Sequence, residues 1–210
     1  MFRLYLVQPL LLFFALVHNW TGDPGIAIVV FSLLIRVPLF PLYYIQHKES
    51  DKLRAIQVKM KERTKGIKDM VKQAEIISGI YEEEKFNPFR NFIIQMIPLP
   101  IIFAMFAVLG DIVKSSLPLI AFGFIDVKTP NLLLGALTIA LQLLFIMTEP
   151  KETRKAGFII VGVVGLLILT FPAAYTLYWA TIMLWTIIER KLFHWYEIRL
   201  GINPVPKNNP

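Results

Sequence analysis

Five apolar stretches, Ile26–Ile45, Asn91–Leu109, Asn131–Thr148, Phe158–Phe171 and Ala173–Ile188, alternate with charged segments along this 210-residue chain. A helical crossing of a bilayer takes about 17–25 mostly apolar residues, and the first three stretches reach that length. The last two are shorter: at 1.5 Å per residue they cover roughly 21–24 Å of a hydrocarbon layer about 30 Å thick. Only Pro172 divides them, so they form either a tight hairpin or one long bent helix. Composition agrees with a membrane chain. Apolar residues make up 56% and charged ones 18%, with a mean hydropathy of +0.59, against globular averages of roughly 45–50% and about 25%. This excludes a disordered chain, which lacks apolar residues to bury, and argues against a soluble enzyme.

Charge distribution arbitrates the topology. The net charge is +7. Residues 47–90 hold eleven Lys/Arg, 149–157 hold three (Lys151, Arg154, Lys155), and the tail from Glu189 holds four. The segment between Leu109 and Asn131 holds two, and the N-terminus only Arg3. Basic segments stay in the cytoplasm. Both 149–157 and the tail can do so only if the chain turns back at Pro172. The expected fold class is therefore all-α, a polytopic membrane protein with five transmembrane helices, N-terminus outside and C-terminus cytoplasmic. The expected division is 1–25 before the first span, 26–45 the first span, 46–90 a cytoplasmic segment, 91–188 spans two to five, and 189–210 a short basic tail.

Two segments need separate reading. Leu4–Val17 is apolar but short, with Gln8 and Pro9 inside it. It could be a signal-like segment, a sixth span or an interfacial amphipathic helix on the outer surface, and the last is preferred. Thr21-Gly22-Asp23-Pro24-Gly25 is a turn-rich break after it. In the cytoplasmic segment, Lys48–Thr64 reads as a helix with Leu53, Ile56 and Met60 on one face. Lys65-Gly66 breaks it, and Ile67–Glu84 resumes with a seam of Ile67, Met70, Ala74, Ile77 and Tyr81. Two such arms predict an antiparallel helical hairpin, ended by Asn87-Pro88.

Arg36 stands in the middle of the first span. A charge at a helix centre costs about 2.5–3.5 kcal/mol on insertion scales. The acidic residues Asp111, Asp126, Glu149 and Glu189 fall at the ends of the apolar stretches. Arg36 is therefore expected to lack a counter-ion and to face a hydrated cavity that receives something anionic. Gln142 with Thr138 one turn away, Trp179 and Gln95 place further polar character in the inner half of the spans, and Ser32 is a further candidate groove residue on the helix of Arg36. That pattern predicts a substrate-binding groove open to the cytoplasm. A lone Gln in a span also serves as helix–helix glue, and Trp179 alone would suit packing.

Other classes are weaker. Without Cys there are no disulfides, thiolate sites or lipid-anchored Cys. The three His (His18, His47, His194) are far apart in sequence, so no metal or other cofactor is expected. A small solute transporter or channel is the alternative, but the chain shows no internal repeat and no mid-span acidic coupling residue. An intramembrane hydrolase lacks a base at the depth of Ser32.

These residues together resemble the Oxa/YidC/Alb family of membrane protein insertases, over roughly residues 8–195. Gly22-Asp23-Pro24-Gly25 followed by Ser32-Leu33-Leu34-Ile35-Arg36 and Pro41-Leu42 looks like the family's first span with its single Arg. Asn87-Pro88, Gln95-Met96, Pro98 and Pro100-Ile101-Ile102-Phe103-Ala104 resemble its second. Phe124-Ile125-Asp126 with Thr129-Pro130-Asn131 resembles the outer loop. Phe171-Pro172-Ala173-Ala174 and Leu177-Tyr178-Trp179 resemble its last span.

The resemblance implies a five-span core, a cytoplasmic hairpin, an outer interfacial helix and a hydrophilic groove centred on Arg36, with Gln142 and Trp179 matching other groove positions. It implies a non-enzymatic insertase and chaperone of the bacterial inner membrane. Such a protein moves short polar segments of clients across and releases their apolar segments into lipid. Implied partners are small nascent membrane proteins and the lipid bilayer, with the insertase working alone or beside the Sec translocon. The form resembled is a minimal one, without the large external domain of some bacterial members. Val58 stands where the family's first hairpin arm usually has Pro, and the ribosome stays an open partner because the basic tail is short. An acidic client tail 4 Å from Arg36 would gain on the order of 4 kcal/mol at an effective dielectric of 20, before desolvation.

Overall fold

The computed structural model describes residues 1–116, 119–149 and 151–201, with only the backbone of 151–153. The tail beyond 201 lies outside the described residues. Helices dominate. A π-helical turn at Arg3–Val7 leads into α1 (Gln8–Thr21). There follow α2 (Pro24–Arg63), α3 (Met70–Glu83), α4 (Pro88–Met96), α5 (Leu99–Lys114), α6 (Leu132–Met147), α7 (Lys151–Thr170) and α8 (Ala173–Arg199). Between α5 and α6, β1 (Ile120–Ala121) and β2 (Ile125–Asp126) pair antiparallel. Among the described residues, three helical segments are long and apolar enough to cross a membrane: Arg3–Thr21, Pro24–Arg63 and Pro88–Lys114. Leu132–Met147 is apolar and shorter.

The helices run past the apolar stretches from which they were expected. Pro38 and Pro41 are accommodated within α2, which continues through 40 residues. The second stretch is divided instead at Ile97-Pro98, between α4 and α5. At Pro172 the chain leaves α7 and starts α8, so the alternative of one long bent helix is excluded.

The chain forms two compact units. Of the described residues, one contains Met1–Pro38 and Leu99–Trp195, the other Leu39–Pro98 and Tyr196–Gly201. The core of the first unit draws Val7, Phe14 and Val17 from the N-terminal helix and Ala27, Ile28 and Phe31 from α2. It adds Met105, Val108 and Leu109 from α5, and Ala174, Leu177 and Tyr178 from α8. Phe31 packs between Phe13 and Phe14, with ring centroids 5.5 and 5.4 Å away. Arg3 pairs with Asp111 of α5 at 2.7 Å. At the start of α8, the Ala173 and Ala174 N–H groups donate to the carbonyls of Thr129 and Val127.

Asp23 organises one end of this unit. Its Oδ1 accepts from the N–H groups of Gly25 and Ile26 (2.7 and 2.9 Å), which caps α2, while Oδ2 accepts from Phe122 N–H at 2.6 Å in the β-turn. Asp before Pro at a helix start is a capping signature. Gly25 lies against the same turn: a Cβ there would stand 2.6 Å from Ala121 Cβ and 2.8 Å from the Phe122 ring. Gly25→Ala is therefore expected to force the strand pair outward and lower stability by about 1–2 kcal/mol, read as a reduced Tm in micelles.

In the second unit, Ile56, Ile80 and Phe86 are buried together, flanked by Leu53, Met60, Ile76 and Tyr81. Arg63 meets Glu83, Lys59 meets Glu84, and Lys52 donates to the Lys85 carbonyl. The contacts advance in opposite directions along the two segments. The expected seam of the second arm is partly corrected. Its helix starts at Met70 rather than Ile67, because the Asp69 side chain caps it by accepting from Val71 N–H at 2.9 Å. Met70 is 81% exposed and Ala74 also faces out, while Ile76 and Ile80 turn inward. The Arg63 hydrogen bond holds the Glu83 carboxyl below its ordinary pKa. The pair's contribution is thus present above the ordinary Glu range and lost as pH falls through the folded value. Carboxyl NMR titration should find Glu83 shifted down in the native chain and returned to the ordinary range in Arg63→Gln. Stability should barely change, because the pair is open to solvent.

Candidate functional site

Arg36 follows Pro24 by twelve residues along α2, and Glu189 follows Ala173 by sixteen along α8. At 1.5 Å per residue these positions lie about 18 and 24 Å from their helix starts. A guanidinium on a flexible stem spans that offset. Arg36 Nη2 reaches Glu189 Oε2 at 2.7 Å, and Arg36 Nε lies 3.2 Å from both carboxylate oxygens. Nη2 also donates to Thr186 Oγ1 at 2.9 Å, and Trp185 Nε1 donates to Glu189 Oε1 at 2.6 Å. The Arg36 and Glu189 side chains are 6% and 3% exposed.

The expectation of a wet Arg36 without a counter-ion therefore does not hold. Glu189 ends an apolar stretch but does not end a helix, since α8 continues to Arg199. The pair is made of oppositely charged, mutually satisfied groups, which is how a buried charge becomes tolerable. Glu189, Thr186 and Trp185 were not among the residues anticipated for the site. One signal could have found two of them: Trp185 and Glu189 are four residues apart, on one helix face.

The other anticipated residues divide among several environments. Ser32 is buried on the helix of Arg36 and donates to the Ile28 carbonyl at 2.5 Å. Thr138 is fully buried on α6, donates to the Leu134 carbonyl at 2.8 Å, and lies 3.4 Å from the Thr176 carbonyl of α8. Gln142, one turn further along α6, is 6% exposed, and its Nε2 has no hydrogen-bond partner among the described residues. Trp179 is half-buried beside Phe106, centroids 6.4 Å apart. Gln95 belongs to the second unit, where its Nε2 donates to Ser50 Oγ at 3.2 Å. Hydroxyls at Ser32 and Thr138 are thus satisfied by their own helices, as is usual for Ser/Thr in spans. Gln142 retains an unused donor, which is costly where no water reaches it.

At the C-terminal end of α6, Arg190 pairs with Glu149 at 2.5 Å and lies over the Phe145 ring, 4.1 Å from its centroid. His47 and Asp51 of α2 stand one helical turn apart, and their ligating atoms lie within 4.8 Å of each other and of Glu197.

The family model described as "60Kd inner membrane protein" matches residues 16–197. A "Membrane protein insertase YidC" of Campylobacter jejuni is 29% identical over 197 residues, covering 89% of this chain and 37% of that protein. One of the same name from Aquifex aeolicus is 30% identical over 194 residues, covering 89% and 38%. The chain thus spans a little over a third of the length of these relatives. A relative of that name from Caldanaerobacter subterraneus is 26% identical, with 84% of this chain and 88% of that protein covered. A crystal structure titled "Active YidC insertase crystal structure with the first transmembrane domain resolved" superposes with a TM-score of 0.68 at 25% identity, over 91% of this chain and 46% of that one.

Proposed function

Since the chain belongs to the 60Kd inner membrane protein family, the Oxa/YidC line, we propose that it is a membrane protein insertase of the bacterial inner membrane. The family match over residues 16–197 carries this reading. In it, α2, α4 with α5, α6, α7 and α8 are the five crossings, and residues 47–90, 149–157 and the tail are cytoplasmic. The N-terminal helix lies along the outer face. Its ends support that placement. Arg3 pairs with Asp111 near the C-terminal end of α5, and the helix closes at Gly22 beside Asp23, which holds the β-turn. A helix of about 28 Å with both ends at one edge of the bundle runs along that edge rather than across the membrane.

Clients are small membrane proteins with short polar, often acidic, outer segments, and the bilayer receives their apolar segments. The groove is proposed around Arg36, Ser32, Thr138, Gln142 and Trp179, with Gln95 a further polar position in the second unit. Arg36 offers a client carboxylate a charge-complementary stop. Because Glu189 already holds the guanidinium, the client acts by exchange: its carboxylate replaces Glu189 on Arg36, and Trp185 and Thr186 keep donors and acceptors available meanwhile. Exchange avoids leaving Arg36 unpaired in a low-dielectric site, and the displaced Glu189 keeps the Trp185 N–H while its lost charge partner limits how long the client stays. The unused Gln142 donor supports a polar lining along α6. No covalent bond is made or broken.

The test is insertion into proteoliposomes of a single-span client with an acidic outer tail. The native chain should insert it. Arg36→Ala should reduce the rate by about tenfold, which corresponds to roughly 1.4 kcal/mol. Arg36→Lys, which keeps charge but loses the planar fork, should fall between. A neutral-tailed client should be nearly indifferent to either change. Wild-type insertion by Arg36→Ala would remove the exchange step, and no insertion by the native chain would remove the insertase reading.

A further inference from the structure

We propose that His47, Asp51 and Glu197 bind a divalent transition cation of the zinc class in the second unit, outside the groove residues named above. One imidazole and two carboxylates are a donor set used for such ions. The three ligating atoms lie within 4.8 Å of one another. Donors sharing an ion at about 2.1 Å each stand roughly 3–3.5 Å apart, and His47 Nε2 and Asp51 Oδ2 are already 3.3 Å apart. Asp51 divides its work: Arg54 Nη1 holds Oδ1 at 3.0 Å, leaving Oδ2 turned to the imidazole. A ligand oriented by a fixed outer partner is the usual arrangement in metal sites.

The independent observation is Glu197. It is 6% exposed on α8, and its carboxylate lies within 4.8 Å of the ligating atoms of His47 and Asp51. Asp51 is 27% exposed and already paired with Arg54, but the buried Glu197 carboxylate beside it is favoured in its charged form when a cation sits with it. Sequence spacing between histidines could not reveal this group, since two of its three members are carboxylates and Glu197 follows Asp51 by 146 residues. A bound ion would join the α2 segment to the end of α8 within this unit.

The experiment uses the full chain in detergent micelles, with any affinity tag removed and metal stripped by chelator. Cobalt(II) serves as the visible probe and zinc as the competitor. The native chain should give a saturable 1:1 cobalt spectrum that zinc abolishes, and His47→Ala and Glu197→Gln should each weaken binding at least tenfold. Histidine 15N NMR of the native chain needs no variant. Zinc should shift one imidazole resonance of the three and leave those of His18 and His194 in place. The proposal is overturned by absence of 1:1 binding, by variants that bind as tightly as the native chain, or by zinc shifting no imidazole.

Discussion

Replacing Glu189 by alanine is expected to lower stability by about 3–5 kcal/mol, the range for breaking a buried ion pair by removing one partner. The Arg36 guanidinium cannot discharge itself by losing a proton. With Glu189 gone, the hydrogen bonds of Nε and Nη2 to the carboxylate are lost and only that to Thr186 remains of those described above. Trp185 Nε1 also loses its acceptor. Unfolding by graded SDS in mixed micelles would measure the change. Glu189→Gln should be milder, because an amide oxygen still accepts. The double replacement Arg36→Met with Glu189→Leu should recover most of the stability, since an apolar pair of similar volume carries no desolvation penalty. It should not recover insertion of acidic-tailed clients. That separation of stability from insertion distinguishes a pair that only holds the bundle from one that also exchanges with clients. If Glu189→Ala were as stable as the native chain, the pair would not be closed in solution.

Asp23→Ala should rank second, at about 2–3 kcal/mol. Loss of an N-cap costs about 1 kcal/mol, up to roughly 2, and the carboxylate bond to Phe122 N–H adds a charge-assisted contact that water replaces only in part. The two losses share one side chain, so they fall together. The specific readout is amide hydrogen exchange. Protection should drop at Gly25 and Ile26, which Asp23 caps, and at Phe122, which it ties to the turn. Asp23→Asn, which keeps one oxygen, should protect Gly25 and Ile26 better than Phe122. Unchanged exchange at Phe122 would mean that the turn is held by the strand pair alone.

Much of the architecture was legible from runs of residues. Apolar stretches of crossing length, the break at Pro172, the turn-rich break at residues 21–25 and the Leu53–Ile56–Met60 face are local patterns, because hydrophobic length, turn chemistry and helix period act over a few turns of one segment. Helix ends were less legible: α2 ran on through Pro38 and Pro41, and α8 ran on past Ile188. Apolar composition marks where lipid would lie, whereas backbone hydrogen bonding continues into polar residues as long as nothing interrupts it.

The amino-acid sequence by itself determined that this chain is a set of apolar helices with one charge too deep to leave unexplained, and its motifs determined the family. Only the tertiary structure decided what that charge does at rest. The partner of Arg36 is 153 residues away, and no local rule links them. Their meeting depends on where α2 and α8 each begin, since those starting points set the depth of every later residue. The same holds for His47, Asp51 and Glu197. Pairing between distant side chains is a property of how helices are aligned in depth, and alignment is settled by packing across the whole core rather than by any one segment.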